Sequence, residues 1–377
     1  MYSLFRKKEK VLSGSLTAAS MSKLVSDKLS FAAIAYIVIS AVVALLGYLI
    51  TPDSSPMANR QFLELGNMPP GFSVTLCKIQ KEGTETRHGL FHRMIFGNTG
   101  NDQFIPIQDY HYNNDTLTIT TYTGDASIQG QTMAFQVEKD HWQDQIIRKR
   151  FLLGTDQFGR DLLSRLMIGS RVSLSVGLIS VLISLVLGIS IGAAGGYFRG
   201  WVDKIVMWLI NVVWAVPTLL LVIAITFALG KGFWQIFIAV GFTMWVEVAR
   251  VTRGQIISVR EKEYVEAARA LGFSDFRIIF RHILPNISGP VIVISAANFA
   301  SAILIEAGLS FLGIGVQPPM PSWGSMIREN YAYLLLDAAH LAILPGLAIM
   351  LIVLSFMILG NKLRDVMDVK AQRNVQG

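Results

Sequence analysis

The strongest constraint on this chain is a series of long stretches that carry no charge. Phe31–Ile50 is the first, and Val172–Gly196, Ile205–Leu229 and Leu341–Asn361 repeat its character. Phe233–Val246 and Ile287–Ile305 are shorter versions, the former extending through Glu247 toward Ala249. About 20 apolar residues carry a helix across the hydrocarbon core of a bilayer. Backbone polar groups find no water there, so such stretches form helices. Composition agrees: only 16% of residues are charged, against about 25% in soluble domains, and the mean hydropathy is +0.47. The expected fold class is an all-α polytopic membrane protein with six transmembrane helices.

One part departs from this pattern. From Thr51 to Arg150 there is no long apolar run, and turn formers dominate. Phe72–Gly83, Asp115–Gly124 and Met133–Asp140 are rich in strand formers, so 51–150 reads as a β-rich insert. Four histidines fall here, His88, His92, His111 and His141. No cysteine or carboxylate stands at a ligand-like distance from them, so they read as surface residues and no metal or cofactor is expected. The lone Cys77 excludes an intrachain disulfide.

Charge orients the chain. The insert holds 9 Lys and Arg against 11 Asp and Glu, so the net charge of +7 resides in the segments flanking the apolar runs. The basic leader, Arg199–Lys204, the Arg250–Arg281 region and the tail then face the cytoplasm under the positive-inside rule. Both termini are expected in the cytoplasm of a cell inner membrane, with the insert exported. The expected divisions are a cytoplasmic segment 1–30, a first span 31–50, the extracytoplasmic insert 51–150, a core of five spans 151–361 and a cytoplasmic tail 362–377. Phe31–Ile50 reads as an anchor rather than a cleaved signal, because the leader is long and no small-residue cleavage site follows. Lipid is thus a partner; nucleic acid is not, since no recognition helix or aromatic platform is present.

Between the fourth and fifth spans lies a polar interruption, 261–285 (EKEYVEAARALGFSDFRIIFRHILP). It reads as two amphipathic helices. Tyr264, Val265, Ala268 and Leu271 share one face of the first, and Gly272 stops it in a left-handed conformation. Ser274 and Asp275 open the second, whose apolar residues are Phe276, Ile279, Phe280 and Ile283 before Pro285 closes it. Upstream, Leu152–Leu174 reads as a loop and a short helix at the membrane surface, with Leu162, Leu163, Leu166 and Met167 on one face and Arg160, Asp161 and Arg165 solvated or paired. The chain has no phosphate-binding loop, no H-E-x-x-H, no G-x-S-x-G and no CxxC. It is expected to be non-catalytic. Within the spans the candidate pathway or gating residues are Glu306, Asn211, Pro217 and Asn298, of which Glu306 costs most to bury; Glu247 is expected at a cytoplasmic helix end, paired with Arg250 or Arg253.

The stretch Glu266-Ala267-Ala268, Gly272, Leu284-Pro285 resembles the EAA pattern of ABC importer permeases, with His282 where that pattern has isoleucine. The blocks Leu153–Leu166, Ala194–Asp203 and Glu306–Gly324 resemble the dipeptide, oligopeptide and nickel branch. The likeness runs from about Leu152 to Lys370, and the long insert departs from it. What the resemblance implies is a permease for di- or oligopeptides, of the second-permease kind. Its partners would be a homologous permease, two ABC ATPase subunits that hydrolyse ATP, and an extracytoplasmic substrate-binding protein. Glu266, Ala267, Ala268, Gly272, Leu284 and Pro285 would couple it to the ATPase. The alternatives are a permease for nickel or another small solute, an ATP-independent secondary transporter, or a membrane enzyme or sensor using the insert.

Overall fold

A computed structural model describes residues 26–79, 89–98, 102–124, 128, 130–137, 142–230 and 232–375, with side chains in the last helix as far as residue 366. The basic leader, His88 and His141 lie outside them. The elements in order are α1 (Lys28–Ile50), β1 (Ser73–Ile79), α2 (Leu90–Phe96), β2 (Gln103–Asn113), β3 (Thr116–Thr121), β4 (Thr132–Gln136), the single turn α3 (Trp142–Gln145) and β5 (Ile146–Arg150). There follow α4 (Leu162–Phe198), α5 (Gly200–Trp214), α6 (Thr218–Leu229), α7 (Phe233–Arg260), α8 (Glu263–Ala270), α9 (Asp275–Phe311), α10 (Trp323–Asn330) and α11 (His340–Val375).

Among the described residues five helices are long and apolar enough to cross a membrane: α1, α4, α7, α9 and α11. A sixth crossing exists only if α5 and α6 are one span, and they are bent by 91° at Ala215–Pro217. The expected Ile205–Leu229 span is therefore a broken one. Pro217 caps α6 with no side-chain hydrogen bond, and its ring removes the N–H that would have joined the two halves.

Helices approach closely where the sequence places small residues. A Cβ on Gly188 would stand 2.5 Å from Val248 Cβ, and one on Gly192 would stand 2.5 Å from the carbonyl oxygen of Ala249. These glycines, one turn apart on α4, let α7 lie against it backbone to backbone. Ser180 Oγ donates to the carbonyl of Phe237 at 3.2 Å in the same contact.

The insert is a five-stranded antiparallel sheet in the order β4-β3-β2-β1-β5. The three strands read from sequence correspond to β1, β3 and β4. The sequence reading missed β2 and β5. β2 carries Pro106, which demotes a strand in any pattern reading, yet it pairs with Leu76 of β1. β5, IIRKR, shows little alternation, but its pairing with β1 completes the sheet. Asn114 and Asp115, at φ of 46° and 58°, form the two-residue turn between β2 and β3, the backbone that a tight hairpin demands. Val74 and Leu76 point to one small core with Phe62, Leu65 and Phe151; Cys77 points to the other with Ile107, Leu117, Ile119 and Val137.

Three further expectations are corrected. Leu162, Leu163, Leu166 and Met167 do not form a separate surface helix; they are the first turns of the 37-residue α4. Of the two settings open to the charges beside them, solvated or paired, the structure has the paired one. Asp161 caps α4, accepting from Ser164 N at 2.9 Å. Arg160 bonds Asp156 Oδ2 and Glu329 Oε2, both at 2.6 Å. Arg165, also buried, lies 3.6 Å from Asp156 and 3.4 Å from Glu329. Second, Phe233–Val246 is no short run, since α7 continues to Arg260. Third, Pro285 does not end a helix. Residues 278–283 widen into a π turn, with Leu284 N–H reaching Ile279 O, and the wide turn absorbs the proline so that α9 runs on to Phe311.

Candidate functional site

The polar interruption is a short helix clamped onto the ends of three long ones. Val265 and Ala268 of α8 are buried against Ala193 and Tyr197 of α4, Ile256 and Val259 of α7, and Ile278, Ile279 and Ile283 of α9. Glu263 and Glu266 occupy the first turn of α8 and Arg269 its last, each favourable to the helix dipole. The helix stops as the glycine predicted. Gly272 has φ of +76°. Its N–H bonds Arg269 O at 2.9 Å and Phe273 N–H bonds Ala268 O at 3.1 Å, the paired bonds of a Schellman cap. Beyond the cap, Tyr197 OH donates to Asp275 Oδ1 at 2.6 Å, and the Arg269 guanidinium lies 5.2 Å from the Tyr197 ring. His282, at the position where the pattern has isoleucine, stacks on Phe273 with centroids 5.8 Å apart. It thereby ties the cap to the start of α9.

The apolar residues of this element divide unevenly. Val265, Ala268, Ile279 and Ile283 are buried. Leu271 and Phe276 are 73% and 70% exposed, and Tyr264 and Phe280 are exposed too. Leu271 therefore does not share the buried face, because it follows the last helical residue and leads into the glycine turn. The Phe276 and Phe280 rings pack against each other at 4.2 Å while leaving their outer faces open. Glu266, Ala267 and Pro285 are exposed, Leu284 is half-buried. Glu266 and Arg269 also line a cleft of about 370 Å³ with Arg199, Arg260 and Glu261. Of the six residues read as a coupling element, Ala268 alone is buried in the clamp, with Leu284 half-buried at its edge.

The four residues read as pathway candidates occupy four different settings. Asn211 is exposed on α5, and Pro217 stands at the 91° break. Asn298 is buried and donates from Nδ2 to Met244 O at 3.4 Å, joining α9 to α7. Glu306 is fully buried. Ser310 Oγ donates to its Oε1 at 2.7 Å and Ser173 Oγ to its Oε2 at 3.4 Å. Ser173 Oγ also accepts from Trp323 N at 3.3 Å, so Glu306 pins α4, α9 and the start of α10 together.

Glu247 was misplaced by the sequence reading. It lies halfway along α7 and is exposed. Its expected partners are engaged elsewhere: Arg253 bonds Asp203 at 2.7 Å, and Arg250 lies 3.6 Å above the Trp214 ring. Among the described residues no cation lies within ion-pair distance of Glu247. It opens instead onto a cavity of about 230 Å³ beside the helix break, walled by Trp214, Val216, Thr218, Thr243 and Ser301. The signal was available, since Glu247 is the one charge between Phe233 and Ala249.

The short helix α8 is thus clamped between long spans, beside a broken one. Residues 184–372 match the family described as the binding-protein-dependent transport system inner membrane component. A glutathione transport system permease protein, GsiD, of Pectobacterium atrosepticum is 41% identical over 218 residues, 58% of this chain and 72% of that one. A dipeptide transport system permease protein, DppC, of Alkalihalophilus pseudofirmus is 41% identical over 217 residues, 58% of this chain and 71% of that one. Among solved structures, the chain is similar to the MetNI methionine ABC transporter in inward facing conformations, at 17% identity, covering 54% of this chain and 96% of that one with a TM-score of 0.45. The chain belongs to the family of binding-protein-dependent inner membrane transport components. It is an ABC importer permease, a multi-pass protein of the inner membrane whose family works with an ATPase and a substrate-binding protein.

Proposed function

We propose that this chain imports di- or oligopeptides as one of two homologous permeases, driven by two ATPase subunits that seat on the α8 element. The observation that carries the reading is the exposure of the apolar Tyr264, Leu271, Phe276 and Phe280 on an element whose other face, Val265 and Ala268, is clamped to three long helices. Four exposed aromatic and aliphatic side chains on a water-facing segment call for a protein partner. The clamp to α4, α7 and α9 passes any displacement of α8 to the spans as a rigid body. Glu266, Ala267, Ala268, Gly272, Leu284 and Pro285 build this unit, and the chain itself is non-catalytic. The peptide cargo is supported by the glutathione and dipeptide permeases among its relatives.

In this reading α8 and both termini face the cytoplasm and the sheet of residues 73–150 faces outward, as the distribution of Lys and Arg supports. The broken helix and Glu247 line the translocation path at the second permease. A carboxylate exposed halfway along an apolar helix needs water or a partner there, not lipid. Assembled complexes in proteoliposomes test the central claim. Phe276→Asp is expected to leave the chain inserted and paired with its sister permease while ATPase subunits fail to co-purify and uptake stops. Full ATP-driven uptake by that variant would overturn the docking role.

A further inference from the structure

The insert carries a feature that import does not account for. α2, LFHRMIF, lies away from the sheet and leaves Leu90 and Phe91 72% and 80% exposed, with Ile95 and Phe96 exposed beside them. Its position is set by the end of α1. Asn98 N–H bonds Ser54 O at 2.7 Å, and a Cβ on Gly97 would stand 3.1 Å from the Tyr48 ring. The 23 residues of α1 span about 34 Å, slightly more than the roughly 30 Å hydrocarbon core. Tyr48, in its last turn, therefore stands at the membrane–water interface, and α2 lies at the same depth.

Arg171 of α4 fixes that level a second time. Its Nη1 donates to the carbonyls of Met94 and Ile95, both at 3.1 Å, capping the C-terminal end of α2. Its guanidinium lies 5.2 Å from the Tyr48 ring. Arg and Tyr are the side chains that favour the headgroup zone, with apolar body in and polar tip out. Between α1, α2 and α4 opens a cavity of about 570 Å³, walled by Tyr48, Ile95, Phe96, Ile168 and Val172 with Arg171 at its polar side. Leu45, Leu49 and Ile50 in the last turns of α1 are exposed as well.

We propose that α2 is an in-plane membrane anchor: its apolar face lies in the outer part of the bilayer, and the cavity beside it takes a phospholipid acyl chain. The occupant is lipid rather than protein because α2 is tied to the last turn of α1, the end of a helix long enough to cross the bilayer core. An amphipathic segment at that level partitions into the interface. The anchor lays the insert against the membrane, leaving the sheet free above it. This assignment needs α1 to cross the bilayer and is indifferent to which way the chain faces.

A nitroxide at Phe91→Cys tests it, with one at Thr132→Cys on the exposed strand β4 as the aqueous reference. Cys77 is buried and the unsubstituted chain reports any background labelling. The assembled transporter is reconstituted in bilayers of phosphatidylethanolamine and phosphatidylglycerol. Collision with molecular oxygen and with a water-soluble nickel chelate is then read by electron paramagnetic resonance. The label at residue 91 is expected to collide with oxygen severalfold more than with the chelate, and the label at 132 the reverse. Chelate access at residue 91 equal to that at 132 would overturn the proposal. So would shielding of residue 91 from both reagents, or shielding that arises only when the binding protein is added, since each means a protein covers the helix.

Discussion

Replacing Gly272 isolates the cap of α8 from everything around it. An added Cβ meets no atom within 4 Å, so Gly272→Ala changes the backbone alone. Holding an L-residue at φ of +76° costs about 1–2 kcal/mol. Gly272→Pro goes further. Its ring demands φ near −65°, roughly 140° away, and removes the N–H that bonds Arg269 O at 2.9 Å. The neighbouring bond from Phe273 to Ala268 depends on the same turn. Two lost bonds at about 0.5–1.5 kcal/mol each, added to the misfit, give roughly 2–5 kcal/mol. Each 1.4 kcal/mol is about a factor of ten in the population of the capped form. ATP hydrolysis and uptake measured together in proteoliposomes give the coupling ratio. Uptake per ATP is expected to fall severalfold in Gly272→Ala and at least tenfold in Gly272→Pro, with both proteins inserted and monodisperse. A Gly272→Pro complex with unchanged uptake per ATP would refute the view that α8 acts as a capped rigid unit.

Other substitutions probe the scaffold. Arg165→Met leaves Glu329 and Asp156 with one cation fewer in a buried network, and a loss of about 3–5 kcal/mol is expected as a fall in detergent-solubilised melting temperature. Gly192→Ala drives a methyl into the Ala249 backbone, at 2.5 Å from its oxygen, and is expected to lower the yield of folded protein. Gly308→Ala, with nothing within 4 Å, serves as the neutral comparison in the same expression assay. Burial pushes the Cys77 thiol up, keeping the reactive thiolate scarce. At pH 8 maleimide should label it at least about tenfold more slowly than a cysteine at the exposed residue 132, the difference vanishing on unfolding.

Much of the architecture could be read locally. Uncharged runs of sufficient length announce helices in a bilayer, small residues spaced a turn apart announce close contact, and Gly272 announces the end of α8. The stop of α8 was legible because Gly272 and its cap obey rules of near neighbours. Long-range pairing decided the rest. Arg160 and Arg165 read as solvated or paired until Glu329 is brought to them from across the chain. β2 is a strand because β1 and β3 flank it, against the local message of Pro106. Pro285 reads as a terminator, and the π turn makes it a passing residue of α9. Glu247 reads as a helix end until α7 is seen to continue, leaving it open beside the break. Sequence alone determined which segments are long and apolar enough to cross a membrane, since hydropathy acts within a few residues. Only the tertiary structure decided which charges are neutralised and which apolar faces stay open, because both depend on partners far away in the chain.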